Sequence, residues 1–322
     1  MTKQIIVVGH KKPDNDSIAG AVIYADLKNK LEARAAEAAG REAEVEYVPC
    51  CLGPLPPESA WVLAENGFAE PRLISCATEV CPEDPKVVLV DHNELTQCVD
   101  GLADAEVVEI VDHHRIADVS TANPIQFINL PWGSTATIIA AMYRYYGVEI
   151  TKEIAQVLLS AMLTDTVILS SPTTTDVDRK TVPELAEIAG VDYKEFGMGL
   201  FLKREGDGPV PIERLVGGDA KEFKVRDTTV LIGQFETVDL SRVLSREDEI
   251  RAYMDKLVEE NGYEFVLFFA TDIVAKGSQF FVQGNRAIVN EVFGIECTGE
   301  GGTWMPGVMS RKKQVAAPIL AW

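Results

Sequence analysis

Two hydrophobic patterns alternate over the first 200 residues. Short apolar and β-branched runs at residues 4–9, 44–48, 86–91, 107–112 and 126–130 have the character of strands buried on both faces of a mostly parallel sheet. Between and after them come stretches of helical period, such as Ile154, Val157, Leu158 and Ala161 at i, i+3, i+4 and i+7, which turn an apolar stripe toward a core. The alternation predicts an α/β fold with helices flanking the sheet. Residues 31–44, rich in alanine and glutamate, read as an exposed helix end.

The pattern breaks at Glu205-Gly206-Asp207-Gly208-Pro209-Val210-Pro211, where two glycines and two prolines in seven residues favour a linker. This divides the chain into a first domain over 1–205, a linker over 206–211 and a smaller mixed α/β domain over 212–322. In the second domain, residues 228–235 and 263–271 read as strands. Ile250, Tyr253, Met254, Leu257 and Val258 mark a helix between them, with Gly262 as its terminator. Gly299-Glu300-Gly301-Gly302 reads as a flexible turn.

Composition narrows the function classes. The 322 residues carry 30 Lys+Arg against 50 Asp+Glu, a net charge of −20, which repels polyanions and disfavours a general nucleic-acid or anionic-membrane binder. Six cysteines without a CxxC pair give no disulfide framework and suit a reducing cytoplasm. The first ten residues lack the features of a signal peptide, and no run has the length of a membrane span. A soluble cytoplasmic protein is expected.

The chemistry concentrates in four histidines, His10, His92, His113 and His114, each just after an expected strand. The three clusters are GHKKPDNDS (9–17), VDHNE (90–94) and VDHHR (111–115). Singly, each has a bland explanation: Asp14 or Asp16 could cap the next helix, Asp16 the more naturally, Asp91 could close a turn, and His113 could be a satisfied core residue. Together they sit where open α/β sheets bind ligands, beyond the carboxyl ends of the strands. Packing so many charges together without a cation is costly, so a divalent-metal site is expected.

Histidine and carboxylate without cysteine point to manganese, cobalt or magnesium rather than structural zinc, and the number of ligands suits two ions. A pair about 3.5 to 4 Å apart can activate a hydroxide and clamp a phosphoryl oxygen, so phosphoryl transfer to water is the expected reaction. Ser310-Arg311-Lys312-Lys313-Gln314 supplies cations suited to phosphate oxygens. Flanking apolar residues make that segment look packed rather than frayed. There is no P-loop, GxSxG elbow or strand-borne GxGxxG.

GHKKPDNDS, VDHNE, Asp112-His113-His114, Leu163-Thr164-Asp165-Thr166, Asp219-Ala220-Lys221-Glu222-Phe223 and SRKKQ, in this order over nearly the whole chain, resemble the family II, manganese-dependent inorganic pyrophosphatases of the DHH phosphoesterase superfamily. The resemblance implies a DHH catalytic domain followed by a DHHA2-like substrate domain. It implies a first ion on His10, Asp14 and Asp91, and a second on Asp16, Asp91, His113 and Asp165, with Asp91 bridging. A bridging water or hydroxide would be the nucleophile. Two Mn2+ per chain are implied, with Co2+ as a substitute and Mg2+ arriving with pyrophosphate. His114, Lys221, Arg311 and Lys312 would bind the phosphate oxygens, and Asp112 would orient a ligand. A homodimer formed through the first domain is also implied. Lys12 and Asn15 stand where the family more often has Asn and Thr, and the chain has an extra residue after SRKKQ.

Two other functions stay open at this level. A related DHH enzyme acting on short polyphosphates or a 3′,5′-bisphosphonucleotide shares the metal residues, whereas a non-catalytic metal or phosphate sensor would lack turnover. Cations on one domain and metals on the other also imply closure around the substrate.

Overall fold

The computed structural model describes residues 2–206, 209–297 and 300–322; Asp207 and Gly208 of the expected linker, and Gly299 of the glycine-rich stretch, lie outside the described residues. The chain divides into two compact units, Met1–Leu169 with Thr173–Arg204, and Ser170–Pro172 with Glu205–Trp322.

In the first unit, strands β1 (Lys3–Val8), β2 (Val45–Cys51), β3 (Arg72–Leu73), β4 (Lys86–Val90), β5 (Glu106–Asp112) and β6 (Gln126–Asn129) form a parallel sheet in the order β3-β2-β1-β4-β5-β6. The continuous apolar runs arise because both faces are covered. Ile5, Val7, Val88 and Val90 point into one apolar cluster, and Ile6, Val8, Val87 and Leu89 point into another on the opposite face. Sequence pattern did not reveal β3, a two-residue exposed edge, nor the end of β2, where Pro49, Cys50 and Cys51 replace the β-branched run. The strand order reverses between β1 and β4, and such a switch point opens a crevice at the carboxyl ends of the strands.

Helices α1 (Asn15–Ala38), α2 (Pro57–Glu65), α3 (Thr135–Tyr146), α4 (Lys152–Asp165), α5 (Asp176–Ala189) and α6 (Tyr193–Glu205) complete the unit. The cap of α1 is Asp14, whose Oδ1 accepts from Ser17 N at 2.9 Å. The cap expected at Asp16 is therefore corrected: Asp16 lies in the first helical turn, fully buried. Helix α4 buries more than the expected stripe, because Ala155, Leu159, Met162 and Leu163 are also covered. It packs among α1, α3 and α5, and a helix surrounded by helices needs apolar residues all round.

The second unit holds α7 (Ile212–Gly217), β7 (Ala220–Val225), β8 (Thr228–Thr237), α8 (Leu240–Leu244), α9 (Glu247–Asn261), β9 (Phe265–Asp272), β10 (Gly277–Gly284), α10 (Ala287–Phe293) and β11 (Thr303–Pro306). A wide helical turn over Arg311–Ala316 runs into α11 (Ala317–Ala321). Its sheet has the order β11-β10-β9-β8-β7, with only β8 and β9 parallel. The expected strands correspond to β8 and β9, and the expected helix to α9, which ends as Gly262 turns left-handed at φ 67°. Three strands were not expected. Charged β7 and short β11 carry weak apolar signals, and β10 is interrupted by Gln279 and Gln283.

One buried carboxylate ties two helix starts together in the first unit. Asp178 accepts from Gly133 N (2.9 Å) and Thr137 Oγ1 (2.6 Å) at the start of α3, and from Thr175 N (2.7 Å) and Thr175 Oγ1 (2.6 Å) at the start of α5. Asp178→Ala leaves buried donors without an acceptor, so it should destabilise the metal-free protein by about 3 kcal/mol. Urea unfolding checks this as a lower midpoint at unchanged slope; an unmoved midpoint would count against the linchpin role.

Candidate metal centre

The histidine clusters meet at the switch point. His10 follows β1, Asp91 follows β4, His113 follows β5, Asp14 and Asp16 flank the start of α1, and Asp165 ends α4. The ligand atoms of His10, Asp14 and Asp91 lie within 4.8 Å of one another, as do those of Asp16, His113 and Asp165, and those of Asp91, His113 and His114. Asp91 joins the sets: its Oδ2 is 3.5 Å from His10 Nε2, and its Oδ1 is 3.4 Å from His113 Nε2. His113 Nε2 is also 3.7 Å from Asp165 Oδ2 and 4.0 Å from Asp16 Oδ2.

Local chain geometry delivers these groups. Gly9 is required because a Cβ there would lie 1.9 Å from Ser17 Oγ and 2.8 Å from Ser17 O, so only glycine lets the end of β1 pass the start of α1. Asp91 adopts φ 62°, left-handed for a residue with a side chain. Such backbone costs on the order of 1 kcal/mol and persists where surroundings over-determine it; here the Asp91 amide donates to Val111 O at 2.9 Å. Asp14 divides its oxygens, Oδ1 capping α1 and Oδ2 lying 3.5 Å from His10 Nε2.

The donor set fits a divalent ion. His10 Nδ1 lies 2.9 Å from Lys11 O and His113 Nδ1 lies 2.9 Å from Trp132 O. Donating Nδ1–H to a carbonyl leaves Nε2 as the ligating atom. Both Nε2 atoms face carboxylates. Among the described residues, Asp91 Oδ2 and His113 Nε2 are buried without a hydrogen-bond partner, as expected of atoms meant for a cation.

Without an ion, protons must balance the charge. Burial opposes charge on His10, yet Asp14 and Asp91 outweigh it and push its pKa up to about 11. The same opposition ends at about 10 for His113, beside Asp91 and Asp16. Burial, then Asp91, raises Asp16 to about 7, and burial with neighbouring carboxylates carries Asp165 well above its ordinary range. Burial would also raise Asp91, but His10 and His113 hold it well below the usual range.

His114 and His92 stand apart from these pairs. His114 is half-exposed, and Asp112 Oδ1 accepts from both its Nδ1 and its backbone N at 3.0 Å. Asp112 Oδ2 in turn accepts from Asn93 Nδ2. Burial resists a charge on His114, but Asp112 and Asp91 raise its pKa above the usual value. His92 is a correction to the grouping of all four histidines. Its Nδ1 is 2.8 Å from Val90 O, burial lowers its pKa to about 4, and it joins none of the ligand groups. It packs edge-on to His10 at 6.4 Å.

Sequence reasoning missed Ser134 and Thr135. Ser134 Oγ (2.8 Å) and Ala136 N (3.0 Å) donate to Asp16 Oδ1, Thr135 N (2.6 Å) donates to Asp16 Oδ2, and Thr135 Oγ1 donates to Asp91 Oδ1 at 3.0 Å. The available signal was a Ser-Thr pair before an apolar helical run, the mark of a helix start. In the second unit, Lys221 is exposed on edge strand β7, and Arg311 and Lys312 open the wide turn. Arg311 Nη1 pairs with Asp219 Oδ1 at 2.7 Å, and its backbone N donates to Gln234 Oε1 at 3.0 Å. Gln234 anchors the turn further through Thr271 Oγ1 (2.9 Å) and Met309 O (3.1 Å).

Since His10 and His113 are protonated in the metal-free centre near neutral pH, binding a divalent ion must expel their protons. Metal affinity should rise with pH, and loading should release roughly two or more protons. Titration calorimetry in buffers of different ionisation enthalpy checks this; a heat independent of buffer would contradict it.

Comparison with known proteins extends over both units. The DHH family, N-terminal domain, matches residues 4–162, and the DHHA2 domain matches residues 198–322. A relative from Archaeoglobus fulgidus, named probable manganese-dependent inorganic pyrophosphatase, is 42% identical, with 99% of this chain and 98% of the relative covered. The manganese-dependent inorganic pyrophosphatase of Bacillus subtilis is 39% identical at the same coverage. Among solved structures, a Methanococcus jannaschii protein assigned to the family II inorganic pyrophosphatases is 35% identical, with a TM-score of 0.70 over 99% of this chain and 98% of that one. An exopolyphosphatase-related protein from Bacteroides fragilis, at 15% identity and a TM-score of 0.50, shares the fold alone. With full-length identity at this level, the chain belongs to the family II, manganese-dependent inorganic pyrophosphatases, with their DHH and DHHA2 domains.

Proposed function

We propose that this chain hydrolyses inorganic pyrophosphate to two phosphates, using two manganese ions per chain held by the carboxylate–histidine centre. The observation that carries this reading is the pair of ligand triads joined by Asp91, with Asp91 Oδ2 and His113 Nε2 buried and without a hydrogen-bond partner among the described residues. His10, Asp14 and Asp91 would hold the first ion, and Asp16, Asp91, His113 and Asp165 the second. Cobalt, which shares these donor preferences, is the proposed substitute, and magnesium accompanies the substrate. When bound, the ion pair makes water a nucleophile near neutral pH and neutralises phosphoryl oxygens.

The chain's own groups then have distinct tasks. Asp112 fixes His114 Nδ1 at 3.0 Å, which leaves Nε2 to offer a proton to a phosphate oxygen. Lys221, Arg311 and Lys312 bind the remaining phosphate charge. The Asp219 carboxylate on Arg311 holds the guanidinium until a phosphate oxygen competes for it. The working form is proposed to be a homodimer, on the family relation. A cytoplasmic location is supported by the cysteines, all six of which are free thiols.

Phosphate release from pyrophosphate, tripolyphosphate and a bisphosphonucleotide, with manganese and then magnesium as the loaded ion, tests the reading. Pyrophosphate should turn over fastest with manganese; a preference for either other substrate would replace this proposal with the exopolyphosphatase or nucleotide reading. Arg311→Lys keeps the charge but loses the bidentate fork, so turnover should fall by about tenfold to a hundredfold with metal content unchanged. Full activity in that variant would remove Arg311 from the substrate site.

A further inference from the structure

The bridging position of Asp91 raises a question of orientation. A carboxylate can serve two ions only if its plane is fixed so that one oxygen faces each ligand set. Backbone alone does not fix it, because the carboxylate plane turns about the terminal side-chain torsion, which is broad for aspartate. Among the described residues its Oδ2 has no hydrogen-bond partner. Its Oδ1 accepts from a single neutral group, the hydroxyl of Thr135, at 3.0 Å. An ionised carboxylate only accepts, so the hydroxyl must donate.

Thr135 is itself rigidly placed. It is fully buried at the first position of α3, and its main-chain N donates to Asp16 Oδ2 at 2.6 Å. The residues around it are tied down independently. Ser134 Oγ donates to Asp16 Oδ1 at 2.8 Å, while Gly133 N and Thr137 Oγ1 are held by Asp178 at 2.9 and 2.6 Å. One residue therefore reaches both proposed ligand sets, by its amide to Asp16 and by its hydroxyl to Asp91.

We infer that Thr135 is a positioning residue for metal binding: its hydroxyl sets the plane of the Asp91 carboxylate so that Oδ2 faces His10 and Asp14 while Oδ1 faces His113. The inference rests on the two-ion reading above. Removing the hydroxyl frees the carboxylate to rotate and weakens both ions, the one on the His113 side more, because Oδ1 is the oxygen released. Partners that orient ligands in this way are worth about tenfold to a hundredfold in metal affinity.

The test uses two substitutions with opposite chemistry. Thr135→Val keeps the shape, the methyl group and the amide to Asp16 but lacks the hydroxyl; Thr135→Ser keeps the hydroxyl and lacks the methyl. Mn2+ is titrated calorimetrically into the metal-free full chain, and bound manganese is counted after gel filtration. The expected result is an affinity loss of about tenfold to a hundredfold in Thr135→Val, with the second ion lost on filtration, and near wild-type binding in Thr135→Ser. Loss in the serine variant with retention in the valine variant would make the methyl, and hence packing, the cause and overturn the inference. Equal losses in both, or no loss in the valine variant, would overturn it too. If the unaltered protein binds fewer than two Mn2+ per chain, the two-ion reading fails and the inference falls with it; if it binds two and the valine variant binds them equally well, only the inference fails.

Discussion

Four carboxylates crowded into one largely buried centre set the terms for the first unit. Asp14, Asp16, Asp91 and Asp165 converge within a few ångströms of His10 and His113, and their mutual repulsion in a low-dielectric setting is severe. Two of them meet helix N-termini. Asp16 lies on the N-terminus of α3, where amide donors and the helix dipole favour negative charge. Asp14 spends one oxygen on the N-terminus of α1. His10 and His113 face the carboxylates with imidazoles that hold protons, His114 adds a third ring beside Asp91, and a divalent cation at the same place would take over from those protons. The left-handed backbone of Asp91 is held by the bond from its amide to Val111 O.

How much of this was legible depended on whether the determinant was local. Parallel strands covered on both faces leave continuous apolar runs, so β1, β4, β5, β8 and β9 could be read. Edge strands β3, β7 and β11 owe their existence to a neighbour's hydrogen bonds and leave little trace. Asp14 and Asp16 show the limit most clearly. Both have cap chemistry two residues apart, and nothing local tells which one caps α1 and which reaches the start of α3, some 120 positions along the chain. Asp165 looks like any polar helix end, and the resemblance to a family, not its spacing, singled it out. Thr135 could be read only as part of a helix start, because its value lies in a contact with Asp91, 44 residues away.

The second unit treats its cations by the same logic with the sign reversed. Arg311 is held by the Asp219 carboxylate, while its main-chain N donates to Gln234. Gln314 folds back to accept from Met309 N (2.9 Å) and Ser310 N (3.0 Å). The basic run is thus a built turn whose backbone is held by Gln234, Gln314 and Ser310. A solvated basic tail would need none of these bonds.

Asn15 shows why the departure in the first motif is more than decoration. It stands between Asp14 and Asp16, is buried, and uses both ends of its amide: Oδ1 accepts from Ser59 Oγ at 2.8 Å, and Nδ2 donates to Ser160 Oγ at 3.1 Å and Thr164 Oγ1 at 3.3 Å. Those partners belong to α2 and α4, so the amide joins the start of α1 to the turn of α4 that ends in Asp165. A hydroxyl at this position could not span both directions with the same reach, because its single oxygen must serve as donor and acceptor at once. The motif's two carboxylates and the distant Asp165 are thereby held to one frame by a neutral residue, which adds no charge to a centre that already carries too many of one sign.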